Sequence, residues 1–500
     1  MKLQLALVAV VFSASTTLAQ TTLSPPTTPA TTEAAATRPA FTLGKETTRI
    51  VAPLLADGRP DYVGALDQAR SKGVTPENNV LVGLLEVLGT GPEMISQKIH
   101  DEYLKRLGIT QEQKTTFKNF QAYLKEEGIE YSDGLQVQED QAHKGRWNSK
   151  EFPEIAAWLA KYDQALDQVV KAAGRERYYS PLIATSERAQ LIGVLLPSLG
   201  GIRGAANALT ARAMLRLDGG QIKGCQADLI AAHRLGRLVM QGPTLIEKLV
   251  GMSIEGIAAR GDITLAEGLG PDAAKNYLAE LGKLPTVEEV NTSVDELERF
   301  SALDAVLAVS KFGAPSLVDS DGVAIAGDWG DTSQVDWDKV LKRMNGWYDR
   351  MVSAMRMPTF AERQTKMVAL EKEIEEIKAA GVKASGLTAT DPTERTTVAL
   401  MSILLPSVGK ARVLADRARE WTDLGTLAVA LAAYRGEKGA YPEKLEALAP
   451  GYLKEVPKDI FADAPLKYRK DGEGYVLYSV GPSLKDDGRG AKDIVVRMSK

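Results

Sequence analysis

The side chains best suited to chemistry are few and widely spaced. Three histidines (His100, His143 and His233) and one cysteine (Cys225) are the whole supply of soft metal ligands and neutral-pH bases. A zinc site read from sequence shows such ligands at short, repeated spacings, because one local element must offer two of them to the same ion. Neither HExxH nor a pair of cysteines occurs, so no zinc site and no Ser–His–Asp triad announces itself. A lone cysteine closes no intrachain disulfide, and Cys225, inside a helical pattern, reads as a small core residue. Carboxylates are abundant, 65 in all, so a chance pair of them says little. Glu151 and Glu154, beside Trp147 and Trp158, are the least poor candidates for a hydrolase cleft, but the acidic start of a surface helix accounts for them better. Asp319-Ser-Asp-Gly322 opens like a calcium loop. An EF-hand needs its glycine at position six and a glutamate at twelve; here glycine comes fourth, and a turn is the better reading. No catalytic residue is assigned.

The elements that would carry these residues are mainly helical from about 41 to 400. Asn79 to Leu88 is an apolar run of helical length. Ile155, Leu159, Tyr162, Leu166 and Val169 recur every three or four residues, which predicts one helix over 152–172. Helices are expected over 205–217, 221–240 and 245–265, parted by the breakers Asp218-Gly219-Gly220 and Gln241-Gly242-Pro243. Further helices are expected over 287–309, 335–357 and 360–380, with a long loop near 314–336. Helix, glycine turn, helix at these lengths predicts a helical-hairpin bundle or a tetratricopeptide-like stack, with room for two subdomains. Leu195-Leu-Pro-Ser198 and Leu404-Leu-Pro-Ser407 share the pattern LLPS-[LV]-G-x-x-R. Proline would stop one element there and serine cap the next.

The two ends differ from this body. At the N-terminus Lys2 precedes an apolar run, Leu3 to Phe12, that is too short to span a bilayer. Thr17-Leu18-Ala19 then supplies the small residues that a signal peptidase requires. A signal peptide over 1–19 is expected, followed by a disordered Thr/Pro-rich spacer over 20–40 whose composition cannot form a core. At the C-terminus, 413–435 is an amphipathic helix with Leu414, Ala418, Trp421, Ala428 and Leu431 on one stripe, widened by Leu424 and Leu427. Gly436 and Gly439 would end it. Strands are expected over 466–469, 475–479 and 494–497, the first two joined as a hairpin through Lys470-Asp-Gly-Glu-Gly474. The fold class expected is thus mainly α, followed by a small α+β module over 407–500.

That module resembles the globular head of the major pseudopilin of type II secretion. The run Ala428 to Pro442 (AVALAAYRGEKGAYP) is similar to that family's helix exit. Val456-Pro-Lys-Asp459 is similar to its LPxDP turn, Tyr475-Val-Leu-Tyr-Ser-Val-Gly-Pro482 to its LYSLGPDG strand, and Asp493-Ile494 to its closing DI. The resemblance covers about the last ninety residues. It implies a calcium ion held in the loop Gly481 to Asp493, by carboxylates and carbonyls that meet a hard cation's need for six to eight oxygens. The ligands implied are Asp486, Asp487 and Asp493. Ser483 stands where the family has its first aspartate, and Lys485, Arg489 and Lys492 offer the competing reading of a neutralised acidic turn. The family's assembly helix and GFTLIE processing motif are missing at the N-terminus. Gly242-Pro-Thr-Leu-Ile-Glu247 matches five of those six letters internally, where a helix start explains them.

Composition narrows the function. A formal net charge of −4 with the two signs interspersed argues against nucleic-acid binding. No integral membrane segment is expected once the leader is cut. The expectation is an exported bacterial protein, periplasmic or extracellular and non-enzymatic. Its helical body would meet a protein partner in the envelope, and its pseudopilin-like head would bind Ca2+. An accessory of a type II secretion or pilus-like system, and a hydrolase with an unrecognised carboxylate site, are the alternatives.

Overall fold

The computed structural model describes residues 40–185, 188, 191–317, 332–384, 391–406, 408–485 and 494–498. The leader and spacer, the Asp319–Gly322 turn and Ser407 lie outside the described residues. The chain is mainly helical with a small antiparallel C-terminal sheet, as its patterning predicts. In order, the helices are α1 (Tyr62–Ser71), α2 (Val80–Leu88), α3 (His100–Leu107), α4 (Phe120–Glu126), α5 (Asp133–Ala142), α6 (Pro153–Lys161) and α7 (Asp163–Ala173). Then follow α8 (Leu199–Asp218), α9 (Ile222–Val239), α10 (Leu245–Ala266), α11 (Pro271–Leu281) and α12 (Val290–Ser293). A π turn, Val294–Glu298, joins α12 to α13 (Arg299–Phe312); α14 (Trp337–Met355), α15 (Phe360–Ala384), α16 (Pro392–Leu404) and α17 (Gly409–Lys438) complete the set.

The glycine breakers part α8, α9 and α10 into consecutive hairpins, and all three pack on one another. Two glycines set how closely α9 and α10 approach. A Cβ on Gly251 would stand 2.4 Å from the Gly236 carbonyl oxygen, and one on Gly236 would stand 2.8 Å from that of Gly251. Thr244 and Glu247 form a capping box at the start of α10, which is what the GPTLIE letters encode there.

Three expectations change. The stripe over 152–172 is two helices, parted at Tyr162, whose ring packs 5.5 Å from Phe117 and 6.4 Å from Tyr123. Ser198 does not cap α8 through its side chain; it sits at φ 72°. In α17 the predicted apolar stripe fails at Leu414, while Ala418 and Trp421 are partly buried against the cores. Leu424, Leu427, Ala428 and Leu431 are fully buried, whereas Leu414 is 51% exposed and Asp416 and Glu420 are buried instead. The helix crosses between two environments, and its first half faces ionic partners. Gly436 lies inside the helix; Gly439, at φ 79°, ends it.

The C-terminal strands are β1 (Lys458–Asp459), β2 (Ala464–Pro465), β3 (Lys467–Asp471), β4 (Gly474–Ser479) and β5 (Ile494–Met498). β1 pairs with β2, and β4 lies between β3 and β5, all antiparallel. The β3–β4 hairpin turns through Gly472 at φ 63°, a conformation glycine adopts without strain. Two apolar cores result. One joins α2 to α11 with the second half of α17 and the β3–β5 sheet; the other joins residues 41–66 with α12 to α16 and the first turn of α17. The sheet and the helical body therefore share a continuous core through α17. Residues 392–438 also contain a window with mean hydropathy 1.5 of which only 29% is buried.

Candidate functional site

The sequence candidates are dispersed. Asp486, Asp487 and Asp493 lie outside the described residues. The stem of their loop is described, and it is held by Asp459, from the Val456-Pro-Lys-Asp turn. The buried Asp459 carboxylate accepts from Phe461 N (2.9 Å), Ala462 N (3.2 Å), Ser479 Oγ (2.9 Å) and Val480 N (2.9 Å). It ties the β1–β2 turn to the end of β4, where the loop departs. Trp147 and Trp158 are core residues whose indole N–H groups donate to Ala211 O and Lys118 O. Glu151 is exposed and accepts from Asn148 N, a helix-start role. Cys225 is buried, and burial pushes its thiol up to about 12, far from the range of a reactive thiolate. His100 bonds Thr90 O and Asp101, while burial drives His143 down to about 4. Among the described residues no three His, Cys, Asp or Glu side chains are placed so that they could hold one metal ion.

The structure instead assembles a polar cleft of about 770 Å³. Its walls are the α14–α15 turn (Arg356 to Thr359, with Arg363), one face of α17, Glu289 and Asn291 at the start of α12, and residues 455–460 with Asp463. The α17 face is a stripe that sequence reading passed over. Arg412, Asp416, Arg419 and Asp423 follow at spacings of four, three and four, so one helix side presents them together. Asp416 is 2% exposed and lies between two guanidinium groups, Arg363 Nη2 at 3.1 Å and Arg412 Nη2 at 3.0 Å. Arg412 also reaches Glu289 at 2.6 Å, and Arg363 donates to the carbonyls of Met357 and Pro358. The chain of ion pairs thus ties α12, α15 and α17 around the cleft. The Nε groups of both arginines are buried and without a hydrogen-bond partner among the described residues.

Deeper in the same face, Glu420 is fully buried. One carboxyl oxygen accepts from Ile460 N at 2.9 Å and the other has no hydrogen-bond partner among the described residues. Burial, with the nearby Asp459 charge, pushes Glu420 up to about 8, despite the Ile460 bond. Burial pushes Asp423 up to about 6, against the pull of Arg419 and Arg237. Arg237 leads from Asp423 into a second, closed network. Its Nε donates to Glu255 at 2.8 Å; His233 bonds Glu255 at 3.1 Å and Asp262 at 2.9 Å; Tyr277 donates to Asp262 at 2.6 Å; Thr422 donates to Glu255 at 3.2 Å. Burial alone would lower the His233 pKa, but Asp262 and Glu255 outweigh it and hold it up at about 10. His233 is therefore an imidazolium, the only form that donates from both ring nitrogens.

This arrangement can hold a polar ligand in the cleft and exchange protons at Asp423 near neutral pH. Among its lining residues there is no Ser, Cys or His, and the one hydroxyl, Thr359, donates to Glu362 as a helix cap. The sequence signals that could have found the network are Glu255 and Asp262, two turns apart on one helix, and His233 on the helix before it.

No family model matches the chain, and neither a curated protein nor a solved structure matches it.

Proposed function

We propose that the protein is an exported, non-enzymatic component of a bacterial envelope or secretome. Its helical body is an interaction platform, and its C-terminal module is a pseudopilin-like head that holds calcium in the loop carrying Asp486, Asp487 and Asp493. One observation carries this reading: a long helix is followed by a three-stranded antiparallel sheet, and the acidic loop connects its last two strands, β4 and β5. The stem of that loop is pinned by Asp459, so filling the loop would stiffen a structure already joined to the body through α17.

The test uses the whole chain from residue 20, because the head shares its core with the body. Thermal melting with calcium should give a higher Tm than with the same concentration of magnesium, since a ligand bound only by the folded state stabilises it. The triple variant Asp486→Asn, Asp487→Asn, Asp493→Asn should lose the difference. Equal shifts with the two ions would remove the calcium site. For the platform, crosslinking in the envelope should return one discrete protein partner; repeated recovery of none would remove that part.

A further inference from the structure

The first half of α17 turns its acidic stripe to the cleft and a different one outward. Lys410, Leu414, Arg417 and Trp421 follow at spacings of four, three and four, which places them along one line of the helix. Leu414 is 51% exposed, an unusual position for a large apolar residue on a helix whose carboxylates are buried. Arg260, from α10, lies over the Trp421 ring at 4.8 Å. Arg260 and Arg417 are near enough for Arg417 to disfavour the charge on Arg260, on top of its partial burial.

Among the described residues no carboxylate lies within 4.0 Å of Arg260, Arg417 or Lys410. Glu371 packs against Gly409 at the helix start and pairs with none of the three. Elsewhere in this region guanidinium groups are paired with care, as at Arg363 and Arg412. Two adjacent arginines without a carboxylate partner among the described residues, beside a tryptophan and an exposed leucine, therefore ask for an anionic surface that also accepts apolar side chains.

We propose that the outward stripe of α17, Lys410, Leu414, Arg417 and Trp421 with Arg260, docks this protein on an anionic phospholipid surface. The guanidinium groups would meet lipid phosphates, Leu414 would enter the acyl boundary, and Trp421 would lie at headgroup level, where amphipathic rings settle. A bilayer surface fits better than an acidic protein segment because the cations flank the exposed Leu414 rather than a pocket. Docking of this kind is peripheral; it goes beyond the function proposed above and stands without it.

The test is co-sedimentation of residues 20–500 with vesicles of phosphatidylcholine, alone or mixed with equal parts phosphatidylglycerol. Binding is expected to the mixed vesicles, to weaken with added salt, and to be much lower on phosphatidylcholine alone. Arg260→Gln with Arg417→Gln should lower the partition coefficient about 25-fold, at about fivefold per cation. Leu414→Ser, at a half-exposed site, should lower it too and serves if the double variant does not fold. Lys150→Gln, in the exposed turn before α6, should leave binding unchanged. Equal binding to both lipids, no binding to either, or wild-type binding by Leu414→Ser would overturn the proposal. So would full competition by polyglutamate, which would assign the patch to an acidic polypeptide.

Discussion

His233 Nε2 stands 2.9 Å from Asp262 Oδ2 with both side chains buried, while Nδ1 of the same ring stands 3.1 Å from Glu255 Oε2. One imidazolium thereby links two carboxylates a double turn apart on α10, and through Tyr277 and Thr422 draws α11 and α17 to the same point. With Arg237 the network balances two positive charges against two negative ones. Buried ion pairs add little stability over apolar packing, but breaking one leaves an uncompensated charge. What the network contributes is the register of four helices.

A pH dependence follows from the His233 shift. Its pKa rises from 6.5 to about 10 on folding, so its stabilisation is fully present below 6.5. It is lost progressively as pH rises from there through about 10, because the unfolded chain then releases a proton that the folded state retains. Urea denaturation should give a lower midpoint at pH 9.5 than at pH 6. His233→Ala should remove most of that difference and cost about 3–5 kcal/mol at pH 6, as for one partner of a buried pair. An unchanged pH slope in the variant would place the titration elsewhere.

The α9–α10 crossing gives a prediction in which two effects oppose each other. Gly251→Ala improves helix propensity by about 1 kcal/mol. It also sets a methyl group 2.4 Å from the Gly236 carbonyl oxygen and 2.5 Å from Met240 Cγ. The methionine can move; the backbone carbonyl cannot without parting the helices. Overpacking of this kind costs about 1–3 kcal/mol, so the clash should win and the variant should melt lower. A melting temperature equal to or above wild type would show that the helices separate freely.

How much of this was legible in the sequence depended on which signal carried it. The hairpins α8 to α10 were legible because glycine breakers and the apolar period act locally. The β3–β4 hairpin was too, from two short strand-like runs joined through Lys470-Asp-Gly-Glu-Gly474. The first half of α17 is legible only in part: Ala418 and Trp421 pack against the cores, but the apolar stripe says nothing of the guanidinium groups that Arg363, from α15, and Arg412 bring to Asp416. A carboxylate is buried there because its partner comes from 53 residues away, and sequence periodicity has no access to such a pairing. The cleft was missed for the same reason. Asp459 was found only as a letter in a motif; its grip on Ser479 and Val480 is a tertiary fact. His233 was visible as a histidine, but its two carboxylates became partners only once α9 lay on α10.

Glu420 offers the clearest view of the cost of the polar face of α17. The unfolded chain ionises this carboxyl near 4.5, while burial holds it protonated to about 8 in the fold. Between those values the unfolded state loses a proton that the folded state keeps, so stability falls as pH rises through the window and stays lowered above it. Glu420→Gln keeps an oxygen for Ile460 N and carries no charge to bury. It should match wild type at pH 4 and gain up to about 4–5 kcal/mol at pH 8, the rise from 4.5 to about 8 taken at about 1.4 kcal/mol per pH unit. Glu420→Ala should not share that gain, because it leaves Ile460 N without its acceptor in a buried setting, at about 1–3 kcal/mol. Denaturant midpoints of the three proteins at the two pH values separate these outcomes. If Glu420→Gln were no more stable than wild type at pH 8, the carboxyl would have to be ionised in the fold. Its second oxygen, Oε1, would then need a cationic partner.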